Sequence, residues 1–203
     1  PYVVSGTIEV AKGATLTIEK GTEVEFAPGA KIVVNGELQV LGTADDAVVM
    51  TAAQTASSTA MSKGYWGGIV FNDSSIDAKV TNGAYVSGSI IRNAVIRFGS
   101  GIVCTDASPY LDSNQITYNT VGIDVEGTAY SAGGLVMSAS DASDNSSLVP
   151  VYIVNNTLSD NNLGININRN NGRSYVTTPG GYSYIGNRYV TAYVTGNSVN
   201  SNT

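Results

Sequence analysis

The sequence predicts an all-β chain wound as a coil of triangular section, and three observations predict it. First, Gly6, Gly13, Gly21, Gly29, Gly36 and Gly42 each lead a short stretch of alternating apolar residues, as in GTIEV, GATLTI, GTEVEF, GAKIVV and GELQVL. Period-two alternation marks a strand with one buried face, and a leading glycine marks a bend that a Cβ would obstruct. Second, taking every third glycine gives returns of 23 residues (Gly6 to Gly29), 23 (Gly13 to Gly36) and 21 (Gly21 to Gly42). Three short strands per turn would produce that return, each turn lying on the last. Third, the later chain repeats a longer unit: IIRNAVIRFGSGIVC from Ile90, LDSNQITYNTVGIDV from Leu111 and IVNNTLSDNNLGINI from Ile153, with VTGNSVNSNT opening a fourth at Val194. Matching positions over three full units are the mark of a solenoid.

In order along the chain, residues 1–50 are the Gly-led coils, and residues 66–203 the coils marked by Asn and Gly-Ile. The whole is expected to be one domain. Stacking the later units on a constant spacing places Ile90, Leu111, Ile153 and Val194 in one internal column. Val95, Ile116, Leu158 and Val199 form a second, and Ile102, Ile123 and Ile165 a third. Truncating any of these to Ala is expected to cost about 2 to 5 kcal/mol. Asn93, Asn114, Asn156 and Asn197 fall at one repeated corner and Asn119, Asn161 and Asn202 at another. An Asn tolerates left-handed geometry, and its amide can bond the Asn above and below. A turn ladder is therefore preferred over a row of sugar-binding amides. Cys104 aligns with Val125 and Ile167, two residues beyond an inward Ile, and reads as a buried small hydrophobe rather than a nucleophile.

Composition narrows the chemistry. In 203 residues, 42% are hydrophobic and only 13% charged, and the formal net charge is −6. Few charges with abundant Gly and β-branched residues suit strands and turns rather than helices. No basic stripe is available to neutralise a phosphate backbone, so nucleic acid is not an expected partner. The chain has no His, which removes the commonest general acid or base and the commonest metal ligand. A single Cys allows no internal disulfide. No run approaches the roughly 20 apolar residues that span a bilayer. Pro1 stands where an initiator Met would, and the repeat stops at Thr203 ahead of a fourth Gly-Ile, so a piece of a longer chain is expected.

The N-x-[ILV]-x-x-N-x-x-G-I coils, the opening GATLTIEKGTEVEF and the later WGGIVF resemble the right-handed parallel β-helices of the pectate-lyase-like superfamily. The resemblance covers nearly the whole chain outside the insertions. It implies that fold and an extracellular or cell-surface setting, as in secreted surface proteins with such coils. It does not imply one function, since the scaffold hosts lyases, glycosidases, adhesins and stalks.

Function on a solenoid sits in loops that leave the coil. The passage from the Gly-Ile strand to the next unit takes 7 residues from Cys104 to Leu111. It takes 19 from Phe71 to Ile90, 28 from Val125 to Ile153 and 27 from Ile167 to Val194. The insertions, 72–89, 126–149 and 168–193, are thus expected at one corner, as loops over a shared groove or, for the two long ones, as degenerate extra coils. The last is rich in aromatic and cationic residues. Tyr175, Tyr182, Tyr184, Tyr189 and Tyr193 suit the apolar faces of pyranose rings. Arg173 and Arg188, with Arg169, suit an acidic sugar through paired hydrogen bonds. The alternative is that these tyrosines cover the insertion's own small core.

The resemblance also implies where catalysis would sit. A lyase of this fold needs acidic residues on Ca²⁺ and an Arg or Lys base. The nearest candidates are Asp106, Asp112, Asp124 and Glu126 with Arg92 or Arg97, which form no stacked acidic cluster and no Arg-x-Pro-x-x-Arg motif. The glycosidases' Gly-His-Gly is absent, and the single Asp-Asp pair, Asp45-Asp46, lies in an early turn. No cofactor is expected. DASDN, residues 141–145, is the one stretch with the oxygen donors for Ca²⁺, and a solvated loop is the preferred reading of it. The expected function is a non-catalytic extracellular module, an adhesin or polysaccharide-binding surface protein, whose partner is a polysaccharide or cell-surface glycan. The alternatives are a fragment of a polysaccharide lyase or glycoside hydrolase, or a structural subunit that self-associates end to end or side by side.

Overall fold

The computed structural model describes residues 1–53, 61–127, 150–169, 175–178, 181–184 and 192–202, with 127, 168, 169, 175–178 and 181–184 described through their backbone. Three parallel sheets run the length of the molecule. Sheet A holds seven strands, Tyr2–Val4, Glu23–Phe26, Val48–Ala52, Ala94–Arg97, Gln115–Thr117, Thr157–Ser159 and Ser198–Asn200. Sheet B holds six, Thr7–Val10, Lys31–Val34, Ile69–Phe71, Ile102–Thr105, Val121–Gly127 and Leu163–Arg169. Sheet C holds six, Thr15–Glu19, Glu37–Leu41, Ile90–Arg92, Tyr110–Asp112, Val151–Val154 and Ala192–Thr195. The chain visits A, B and C in unbroken rotation, so every strand pairs with the strand one coil away. This is a right-handed parallel β-helix, the hand that parallel crossovers adopt.

The interior is a bundle of stacked columns. On sheet B, Ile8, Ile32, Ile69, Ile102, Ile123 and Ile165 lie one above another, beside Val10, Val34, Phe71, Cys104, Val125 and Ile167. On sheet C the column is Ile18, Val40, Ile91, Leu111, Ile153 and Val194. On sheet A it is Val24, Met50, Ile96, Ile116, Leu158 and Val199. Like stacks on like from coil to coil, which is why a short repeat suffices to specify the core. Where the connection from sheet A to sheet B expands after Ala53, Trp66 returns to the interior. Its ring stacks on Phe26 at 4.1 Å between centroids, and its indole N–H donates to Arg97 O at 2.9 Å.

The structure corrects the register of the unit that begins at Ile90. Ile91, not Ile90, pairs with Leu111, and Ile96, not Val95, pairs with Ile116, whereas Ile102 pairs with Ile123 as expected. The offset between these coils is therefore 20 residues before the A-to-B corner and 21 after it. Gly101 accounts for the missing residue. Its φ of +104° turns the corner tightly, and a Cβ there would strike Val121 O.

The same slip moves the asparagine ladders by one place. Ala94, not Asn93, stands in line with Asn114, and Gly99 stands in line with Asn119, as the hydrogen bonds from their backbone N–H groups to those side chains show. Asn93, Ser113, Asn155 and Gly196, the residues just before the ladder position, take the left-handed conformation, with φ of 48°, 57°, 56° and 66°. Turning and bonding are thus divided between neighbours. The left-handed residue bends the chain, and the next side chain enters the coil.

Asn156 and Asn161 each then satisfy four groups. Asn156 Oδ1 accepts from the backbone N–H and the Nδ2 of Asn114, while its own Nδ2 donates to Leu111 O and Asn197 Oδ1. Asn161 does the same with Asn119, Ile116 O and Asn202. A full complement is what makes a buried amide tolerable in an aliphatic tube.

Candidate functional site

The three passages that the spacing singles out run from sheet B to sheet C, and a further expansion, between Ala52 and Ile69, which the spacing did not single out, runs from sheet A to sheet B. The first, after Phe71, holds an antiparallel hairpin, Lys79–Thr81 with Ala84–Ser87. The last holds another, Tyr175–Thr178 with Gly181–Tyr184, in which Tyr175 pairs with Tyr184 and Thr177 with Tyr182. An antiparallel hairpin cannot be a turn of a parallel coil, so this stretch is not a degenerate coil. The passage between Gly127 and Pro150, with Asp141 and Asp144, lies outside the described residues, as do Arg173, Arg188 and Tyr189. Of Tyr175, Tyr182 and Tyr184 the strand positions alone are described.

What the first of these passages adjoins is the outer face of sheet C. Side chains on a strand alternate between faces, so the residue before each inward residue of the column points out. That row reads Gln39, Ile90, Tyr110, Tyr152 and Tyr193. The first hairpin lays Val80 and Tyr85 over one end of it, forming a small second core with Ala78, Ile90 and Tyr110. The aromatic rings run on in series. Centroids lie 5.6 Å apart from Tyr85 to Tyr110, 5.5 Å from Tyr110 to Tyr152 and 5.8 Å from Tyr152 to Tyr193. Cover diminishes along the row: Ile90 is fully enclosed, Tyr110 is 7% exposed, Tyr152 is half-buried and Tyr193 is 55% exposed.

Beside the tyrosines runs a second outward row, Leu41, Arg92, Asp112, Val154 and Thr195. It sets the charge at the rim. Burial raises the Tyr110 hydroxyl above the ordinary phenol range and Asp112 raises it further, against the opposing pull of Arg92. Tyr85 is raised by burial and by Glu37, again opposed by Arg92, and its hydroxyl donates to Gly88 O at 2.6 Å. Asp112 Oδ1 accepts from Ser113 Oγ at 2.9 Å and lies 3.5 Å from Asn155 Nδ2. The result is a strip of phenol rings edged by hydrogen-bonding groups, suited to a ligand with apolar faces and a hydroxylated rim.

Tyr193 is thus the one predicted site residue whose side chain the structure places, and it ends the row. Tyr85, Tyr110 and Tyr152 were not among the expected site residues. The signal for two of them is in the repeat: SPYLD, VYIV and AYVT each carry Tyr directly before the inward residue.

Other candidates disperse. Asp124 and Glu126 lie on the outer face of sheet B, Asp112 and Arg92 on sheet C, and Arg97 on sheet A. Asp124 accepts from Asn166 Nδ2 at 2.8 Å, and Arg97 Nε donates to Thr51 Oγ1 at 3.1 Å. Among the described residues no three His, Cys, Asp or Glu side chains gather to hold a metal ion. Asn114, Asn119, Asn156 and Asn161 are buried and bonded within the coil, so they form the turn ladder and not a sugar-binding row. Cys104 is buried in its column, and burial, with Asp124 and Asp77 adding to it, raises its thiol well above the ordinary range.

Columns of this kind with an Asn-cornered, Gly-punctuated coil invite comparison with known families. The sequence matches the pectate-lyase like beta helix domain over residues 1–129. The chain belongs to that family. A 50-residue stretch is 46% identical to the protein named Protein bark beetle of Drosophila melanogaster, a match that takes in 25% of this chain and 2% of that protein. No solved structure gives a significant match. Within the pectate-lyase like beta helix family, then, this chain is a β-helix module that carries a tyrosine row on the outer face of sheet C.

Proposed function

We propose that this module binds polysaccharide without cleaving it, as an extracellular or cell-surface adhesin or glycan-binding protein. The observation that supports the reading is the tyrosine row, which rises from the covered Tyr110 through Tyr152 to the exposed ring of Tyr193. Stacked rings repeating once per coil offer successive apolar platforms along the helix axis, and a polymer of pyranoses offers successive apolar C–H faces. Arg92, Asp112 and Thr195 beside the row would meet hydroxyl groups. Tyr175, Tyr182, Tyr184 and Tyr189, with Arg173 and Arg188, are proposed as a second wall on sequence grounds, since their insertion returns to the coil at Tyr193.

A glycan array probed with the intact chain tests this reading. Binding to at least one polysaccharide is expected, with marked loss on Tyr152→Ala and Tyr193→Ala. Polygalacturonate incubated with the chain and Ca²⁺ is expected to release no unsaturated, ultraviolet-absorbing product. An empty array would sink the binding role, and unsaturated product would replace it with a lyase.

A further inference from the structure

The corner between sheets A and B carries a second aromatic feature. At that corner Phe98, Tyr118, Asp160 and Ser201 occupy equivalent places in successive coils, and all four are left-handed, with φ of 63°, 56°, 58° and 50°. The other left-handed corner uses Asn93, Ser113, Asn155 and Gly196, the small residues that this conformation favours. A bulky aromatic side chain there is an outlier, and such outliers concentrate where function holds them. Burial does not explain Tyr118, which is 48% exposed. One side of its ring stacks on Phe98, with centroids 5.7 Å apart and planes 23° from parallel. One coil further on stands Asp160, as the hydrogen bond from Tyr118 N–H to Ser159 O at 3.3 Å fixes. An exposed phenol residue and a partly exposed Asp thus hold equivalent places in adjacent coils at one corner.

We propose that Tyr118 and Asp160 form a second glycan-contact site, separate from the tyrosine row on sheet C, that takes a single neutral pyranose. The sugar's C–H face lies on the Tyr118 ring, and its hydroxyl groups donate to the Asp160 carboxylate. An organic cation fits less well, because cation sites surround the charge with several aromatic walls and this corner offers one open ring face.

Saturation-transfer NMR on the intact chain, with the methyl pyranosides of glucose, galactose and mannose as probes, tests the site. Tyr118→Asn is the informative variant, since Asn is the residue the other corner already uses at this φ and the coil should fold around it, which a thermal melt checks. Signal on the sugar C–H protons is expected with the wild type and with Tyr193→Ala, and is expected to be lost in Tyr118→Asn and in Asp160→Ala. Signal that survives Tyr118→Asn but vanishes in Tyr193→Ala would overturn this site while leaving the tyrosine row standing. No signal from any pyranoside, or binding of tetramethylammonium in their place, would also overturn it, and array binding through Tyr193 would be untouched by that result.

Discussion

Asn114 and Asn156 sit one above the other inside the coil, and Asn156 Oδ1 accepts both the backbone N–H (3.0 Å) and the side-chain amide (2.9 Å) of Asn114. Removing one rung therefore orphans buried groups on the coil before it. Asn156→Ala would strip the partner from Asn114 and from Leu111 O. With each abandoned buried group costing about 1 to 3 kcal/mol, a loss of about 3 kcal/mol or more is expected in chemical denaturation. Asn155→Ala, which alters the exposed left-handed neighbour, is expected to cost clearly less.

The corrected register makes an equally sharp distinction between adjacent residues. Ile96 is fully buried in the sheet A column, while Val95 points outward beside Gln115. Ile96→Ala is expected to destabilise by about 2 to 5 kcal/mol, and Val95→Ala by about 1 kcal/mol or less. Equal losses would mean that the alternation at this strand is wrong.

Gly101 and Gly6 separate a glycine that the fold requires from one that it merely contains. At Gly101 both the φ of +104° and the carbonyl of Val121 exclude a Cβ, whereas nothing lies within 4 Å of a Cβ built on Gly6. Gly101→Ala is expected to prevent soluble expression or to lower the melting temperature severely. Gly6→Ala is expected to leave it nearly unchanged.

Titration gives a fourth expectation. The thiol of Cys104 and the phenols of Tyr85 and Tyr110 are all raised in the folded chain, from ordinary values of 9.0 for the thiol and 10.0 for the phenols, with burial the leading cause for each. Groups raised on folding favour the folded state fully while both states hold the proton, and that contribution is lost as pH climbs and the unfolded chain alone releases it. The melting temperature should therefore be flat to about pH 8 and fall from pH 9 to 11. Cys104→Ala should flatten the lower part of that fall. In the native state Cys104 should resist iodoacetamide, reacting only on unfolding.

Much of this architecture was legible because a β-helix writes its section into the sequence. The alternation behind GTIEV and GAKIVV, the column of Ile102, Ile123 and Ile165, and the corner holding the insertions all follow from spacing alone. The register at Ile90 did not, because one tight glycine, Gly101, shortens a corner by one residue, and a constant repeat length cannot see that. The tyrosine row was not hidden by that slip, since Tyr110, Tyr152 and Tyr193 each stand directly before an expected inward residue, Leu111, Ile153 and Val194. It was obscured because the tyrosines of the last insertion are far denser along the chain. Attention then falls on tyrosines close in sequence, in 175–193, rather than on those stacked a coil apart. On a solenoid, neighbours in space are a coil distant in the chain, so local composition is a poor guide to a surface.

The most direct test of the central claim is a titration of the intact chain with the best polysaccharide from the array, by calorimetry, alongside Tyr152→Ala and Tyr193→Ala. If the open end of the row is the binding surface, affinity should fall at least about tenfold in each variant, a loss of roughly 1.4 kcal/mol per ring, with the fold intact by circular dichroism. Unchanged affinity in both variants would contradict the account and leave the row as a structural stack of rings.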